Sequence, residues 1–175
     1  MLIDDEIEAA KQKGLLVPAK AVAPWAGEPR SFLMSKPLHE AIRAGADADD
    51  EKVRQRWARL EAAIGHFVEG GVVTQDLIKQ LVPSKFEHWE LRSRRPRPSM
   101  RVFGRFAKPD VFVGTHVVNR KLLGGMWSSE FEHEKLVCED HYKAAGLTEY
   151  FSDPPKFIYT SYITENATKR VGVPR

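Results

Sequence analysis

Cysteine is almost missing from this chain: Cys138 stands alone among 175 residues. One thiol cannot close an intramolecular disulfide, which sets aside the disulfide-stapled secreted scaffolds and agrees with a reducing compartment. Long apolar runs are missing too, and no stretch approaches the ~20 residues that span a bilayer. The first residues, Met1-Leu2-Ile3-Asp4-Asp5-Glu6, are acidic where a signal peptide is basic and then apolar. The simplest expectation is a cytoplasmic protein with no membrane partner. There is also no glycine-rich phosphate loop and no GxSxG nucleophile elbow. Glu134, Cys138 and His141 share one helical face, but His133-Glu134-Lys135-Leu136-Val137 lacks the second histidine of HExxH. Neither a metal nor a cofactor is expected.

Acids are scarce in one segment. From Arg92 to Lys121 there are nine basic residues and one acid, Asp110, a local charge of +8 in a chain of net charge +3. A clustered basic field of this kind suits a polyanion such as nucleic acid, or an acidic protein surface. Solvated strand faces are the plainer explanation.

Hydrophobic spacing supplies the elements. Ile3, Ile7 and Ala10 suggest a short amphipathic helix, after which Pro18, Pro24 and Pro29 break the chain. Residues 1–36 read as an extension, with Ser31-Phe32-Leu33-Met34 as a short edge strand. Ser35 before Pro37 caps a helix to about Arg43. Val53, Trp57, Leu60, Ile64 and Phe67 lie on one face of a longer helix ended by Gly70-Gly71. Thr74, with Val73 and Ile78 as a hydrophobic staple, predicts a short helix through about Leu81. From Phe86 the period becomes two. Strands are expected over 86–92, 99–106 and 111–118, joined by short turns into an antiparallel meander. Trp89, Leu91, Val102, Val111 and Val113 should line one face against Trp57, Leu60 and Ile64, leaving the other face wet. Ser129 and Glu132 form a capping box for a closing helix to Gly146. The tail, 147–175, should be extended, with Tyr150, Phe151, Phe157 and Tyr159 packing along the domain.

The order of elements and four local segments carry a family resemblance. The segments are Phe67-Val68-Glu69-Gly70-Gly71-Val72-Val73, Trp89-Glu90-Leu91-Arg92, Met100-Arg101-Val102-Phe103-Gly104-Arg105-Phe106, and Val111 through Arg120-Lys121. Over about residues 53–146 the chain resembles the phage-derived, HigB-like branch of the RelE/ParE toxins. That resemblance implies an α+β, RelE-like fold over 37–146, with N-terminal helices on a small antiparallel sheet and a closing helix. It further implies a toxin that cuts RNA, including ribosome-bound mRNA, without a metal, and that a cognate antitoxin silences.

Metal-free cleavage by the ribose 2′-hydroxyl needs a proton acceptor, cations for the charge gathering on phosphate, and an acid for the leaving oxygen. Arg101 matches the family's phosphate-stabilising strand arginine, and Arg120 its basic residue after the last strand. His88 and Glu90 are the candidates for proton transfer. Arg92, Arg94, Arg95, Arg97, Arg105, Lys121 and His116 are the candidates for nucleic-acid contact. Against these stand plainer roles: His88 merely exposed, His116 packed beside Phe112, Arg101 a surface arginine paired with Glu90, and Trp89 core. The alternative function is a non-catalytic, possibly phage-encoded binding module that turns the same basic sheet toward an acidic protein.

Overall fold

Local side-chain chemistry sets the helix ends in the structure, a computed structural model describing residues 2–151 and 161–167. Helix α1 (Ile3–Gln12) leads to strands β1 (Leu16–Pro18) and β2 (Ser31–Ser35). The Leu38 amide donates to Ser35 Oγ at 3.3 Å and Pro37 occupies the first turn, so α2 (Lys36–Ala46) begins there. Asp50 caps α3 (Glu51–Val68), accepting from the amides of Lys52 at 2.7 Å and Val53 at 3.1 Å. Gly70 ends it with φ +78°, and the amides of Gly70 and Gly71 turn back to the carbonyls of Phe67 and His66. That is a Schellman motif, and the left-handed position is why glycine stands there.

The expected helix over 74–81 is not formed. The amides of Leu77 and Ile78 both reach Thr74 O at 3.0 Å, giving one turn. Ile78–Gln80 then becomes β3, antiparallel to β4 (Trp89–Ser93). Pairing with β4 buries Ile78 in the core, and this outweighs the local helix signal. Phe86 lies in a 3₁₀ turn (Ser84–Phe86), so the strand starts at Trp89. Strands β5 (Met100–Lys108) and β6 (Val111–Asn119) complete the meander. The closing helix α4 (Ser129–Ala144) is capped by Ser128, one residue before the expected cap.

The strands form one sheet in the order β1-β2-β6-β5-β4-β3. It is mixed rather than antiparallel throughout, because β2 runs parallel to β6. Parallel neighbours need a crossover, and α2 and α3 lie within it. Ser31–Ser35 is therefore an interior strand, not an edge, and residues 1–36 supply two of the six strands.

Both faces of the sheet are covered. Under α2 and α3, Phe32, Leu60, Phe67, Trp89, Phe106 and Phe112 form the main core. Phe106 meets Trp89 and Phe112 edge-on, each at 5.1 Å, and Tyr162 from the C-terminal segment meets Trp89 at 4.7 Å. Under α1 and α4, Ile7, Leu33 and Tyr142 pack together with Val111 and Val113. This corrects two expectations. The second face is not wet, and Val111 and Val113 are on it rather than with Trp89.

A β-bulge explains the second correction. Phe103 pairs with His116 but Gly104 pairs with Gly114, so Thr115 is an extra residue on β6. The side-chain alternation changes hand there. Phe112 and Val117, an odd number of residues apart, both face the main core. Gly104 makes room for this: a Cβ on it would come within 2.3 Å of Val113 O and 2.6 Å of the Phe112 ring.

Of the tail, Tyr150 meets Tyr162 edge-on at 6.2 Å, while Phe157 and Tyr159 lie outside the described residues. Among the described residues no helix is long and apolar enough to cross a membrane.

Candidate nucleic-acid interface

Strand register decides which basic residues meet. On the α4 side of the sheet one cross-strand row holds Lys79, Glu90, Phe103 and His116. The next holds Arg92, Arg101 and Val118. Glu90, only 1% exposed, sits between two arginines. Its Oε1 accepts from Arg92 Nε at 2.7 Å and ion-pairs with Arg92 Nη2 at the same distance. Its Oε2 lies 3.7 Å from Arg101 Nε, an ion pair too long for a hydrogen bond.

Arg101 is 8% exposed and lies at the start of β5, paired on both sides, with Nη1 donating to Met100 O at 3.3 Å. Burial pulls its pKa down to about 10; Glu90 opposes that shift and Arg92 and Arg120 add to it. It remains cationic at neutral pH. Beside it opens a cleft of 570 Å³ lined by Arg94, Arg97, Ser99, Arg101, Arg120 and Lys121, with Pro98. Five of these carry positive charge and none is acidic.

The cleft's rim has its own supports. The Arg120 amide donates to Ser99 O at 2.8 Å and its Nη1 to Leu123 O at 2.6 Å, while its guanidinium lies over the Phe131 ring. Arg94 pairs with Asp76 at 2.8 Å, but both are well exposed and such a pair is worth little. Arg95 and Arg97 have no ion pair or hydrogen bond among the described residues.

Six sequence candidates do not line this cleft: Glu90, Arg92 and Arg95 stand beside residues that do, and three lie elsewhere. Arg105 is four residues from Arg101 along β5, ~13 Å at strand rise. It is 1% exposed, donates to Phe86 O at 2.8 Å, and lies against the rings of Tyr142 and Phe151. No polyanion reaches it there. His116 stacks on Phe103 at 5.2 Å, with Nε2 2.7 Å from Glu134 and Nδ1 3.0 Å from Thr115 Oγ1. Burial lowers its pKa, and Glu134 partly opposes this. Cys138, beneath the same bulge, is fully buried, and its thiol pKa is pushed up to about 11, so it is unreactive. Among the described residues no three His, Cys, Asp or Glu side chains converge as a metal site would need.

His88 is the third. It precedes β4 at the Arg105 end of the sheet and is 4% exposed, not the solvated histidine of a wet face. Glu139 Oε1 lies 3.0 Å from Nε2, but out of hydrogen-bonding geometry. Burial dominates, with Arg105 and Lys135 adding to it, and lowers the His88 pKa to about 4. A depressed folded pKa contributes stability above the unfolded value near 6.5, and that stability is lost as pH falls toward 4. The loss is on the order of 3 kcal/mol. His88→Gln should therefore flatten the acid limb of denaturant-measured stability between those pH values. An unchanged limb would mean that His88 is not held neutral.

Some relevant residues gave no sequence signal. Lys79 escaped notice because 74–81 read as helix. It faces Glu90 across the β3–β4 pair, and burial, with Arg92 adding, lowers its pKa. Arg59 on α3, off the apolar stripe of that helix, lines a groove behind the β4–β5 turn.

The fold and cleft thus define a class: an α+β protein with a six-stranded mixed sheet and a basic recess at the β4–β5 turn. Compared with protein-family models, curated proteins and solved structures, the chain matches none.

Proposed function

We propose that this is an RNA-directed protein of RelE/HigB-like toxin type, which holds the RNA backbone in the Arg101 cleft. One observation carries the proposal: five cationic side chains and no carboxylate surround one recess, and Arg101 is fixed in its wall. The α2–α3 pair, the β4–β5–β6 meander and the closing α4 follow in the order that the resemblance implies, which supports the RelE-like reading of the α+β fold. Arg101 and Arg120 then stabilise charge on a phosphate, and Glu90 positions Arg101. Neither proton-transfer candidate is free in the cleft, since Glu90 is ion-paired and His88 is at the far end of the sheet. Proton transfer is accordingly left to groups brought by the target, as in ribosome-dependent relatives that borrow part of their site. RNA presented on the ribosome is the favoured substrate, and a cognate antitoxin the expected protein partner.

The same withdrawal of Glu90 and His88 favours a second reading, a non-catalytic module that binds an acidic protein. Replacing Arg94, Arg95 and Arg97 together by alanine separates the two. All three are exposed at a turn, so the fold should survive, as thermal unfolding would check. RNA affinity at low salt should fall ~10-fold or more. A wild-type protein that binds no RNA but binds an acidic polypeptide would establish the second reading.

A further inference from the structure

The β4–β5 turn has two sides, and the cleft uses one of them. On the other, between the turn and α3, runs an open groove of 1420 Å³. Arg94 and Arg97 line both recesses. The groove's floor is small and apolar, made by Ala58, Ala62, Ala63 and Leu77. Basic side chains share that lining, Arg59 from α3 with Arg95 and Arg97 from the turn. None of these three has an ion pair or hydrogen bond among the described residues. The nearby acids are already engaged: Asp76 with Arg94, and Glu90 with Arg92.

Uncompensated arginines around an apolar floor repel one another and invite a ligand that is anionic along its length and apolar between its charges. Single-stranded RNA has that character. Its phosphates match guanidinium groups, and its unstacked bases can lie on an apolar floor or stack on guanidinium planes. A duplex keeps its bases inside and has no use for the floor.

We propose that a single RNA strand crosses the arginine turn, one segment in the Arg101 cleft and the adjoining segment in the groove against α3. The inference rests on the RNA reading of the cleft and extends it to a continuous two-sided site. A strand filling both recesses should be longer than one filling either.

The test is fluorescence anisotropy of the full chain with labelled oligouridylates of 4 and 12 nucleotides, lengths within the range of single-strand sites. The 12-mer should bind at least ~10-fold more tightly than the 4-mer. Arg59→Glu, exposed on a helix and checked for folding by thermal melt, should weaken the 12-mer ~10-fold and reduce its salt slope by about 1. Lys121→Glu, on the cleft side alone, should do the same, and the double variant should bind the 12-mer no better than wild type binds the 4-mer. If Lys121→Glu weakens the 12-mer and both Arg59→Glu and Arg59→Ala leave it unchanged, the groove is not used, while the RNA reading stands. A 12-base-pair duplex that binds as tightly, with equal sensitivity to Arg59→Glu, overturns the single-strand assignment. Failure of every RNA to bind at low salt overturns both readings. Arg59-dependent binding of polyglutamate in that case assigns the groove to an acidic protein.

Discussion

On the proposed ribonuclease reading, cleavage of ribosome-bound RNA is expected to fall by ~100-fold when Arg101 becomes alanine, with the fold intact. Removing one donor aimed at a developing charge typically raises a barrier by ~2.7–4 kcal/mol, and each ~1.4 kcal/mol is a factor of ten in rate. Arg101 suits that role because it is paired within the sheet near the start of β5, mostly buried, and held beside Glu90 at the cleft wall. Its loss should be tolerated structurally, since Glu90 keeps its hydrogen bond and ion pair to Arg92. Single-turnover cleavage, with and without ribosomes, gives the comparison, with circular dichroism as the folding control. Cleavage that survives Arg101→Ala would keep the enzyme and move its site. A wild-type protein that leaves RNA intact under both conditions, and does not arrest growth when expressed, would favour the binding module.

Glu90→Ala should act differently, and mainly on stability. It removes a carboxylate that is 1% exposed and leaves Arg92 and Arg101 side by side without their counterion. Breaking a buried ion pair from one side costs about 3–5 kcal/mol. A polyanion can supply the missing charge, so added RNA or heparin should stabilise Glu90→Ala more than wild type. Denaturant titrations with and without polyanion would show it. A loss under about 1 kcal/mol, or equal stabilisation of both proteins, would mean that Glu90 does not hold the two arginines.

The framework was legible where one pattern dominated. The apolar stripe of α3, its double-glycine end and the period-two runs of β5 and β6 all read correctly. Besides the two strands supplied by residues 1–36, three features did not, each for a physical reason. The bulge at Thr115 reverses the side-chain alternation, but no residue type marks it, so Val111 and Val113 were assigned to the wrong face. Strand β3 was hidden by a turn whose Thr74 and Ile78 mimic a helix start. Helix α4 turns Phe131, Lys135, Cys138 and Tyr142 inward, and the lysine breaks the apolar stripe. Lys135 is buried because its ammonium donates to Val82 O at 3.0 Å. Without a visible stripe, nothing announced that α4 would cover the face bearing His88 and Arg105.

The candidate site was half legible for the same reason. Charge density marked the segment that holds Arg94, Arg97, Arg101, Arg120 and Lys121, and the resemblance singled out Arg101 and Arg120 within it; the structure brings all five to one recess. Strand alternation set His88 and Glu90 on the face of Arg101, but it cannot say how far along the sheet each lies or what covers them. Burial removed His88 from the cleft and turned Glu90 from a proton acceptor into an anchor.

The most direct test of the central claim is the salt dependence of RNA binding by the full, wild-type chain. Each phosphate neutralised on a single strand adds about −0.7 to the slope of log affinity against log salt. Four cations of the cleft, leaving out Arg94 with its Asp76 partner, predict a slope near −3, or a ~60-fold loss of affinity between about 50 and 200 mM salt. Binding with that slope, reduced by about 1 in Lys121→Glu, supports the basic cleft as an RNA backbone site. No binding at low salt, or a slope near zero, contradicts it.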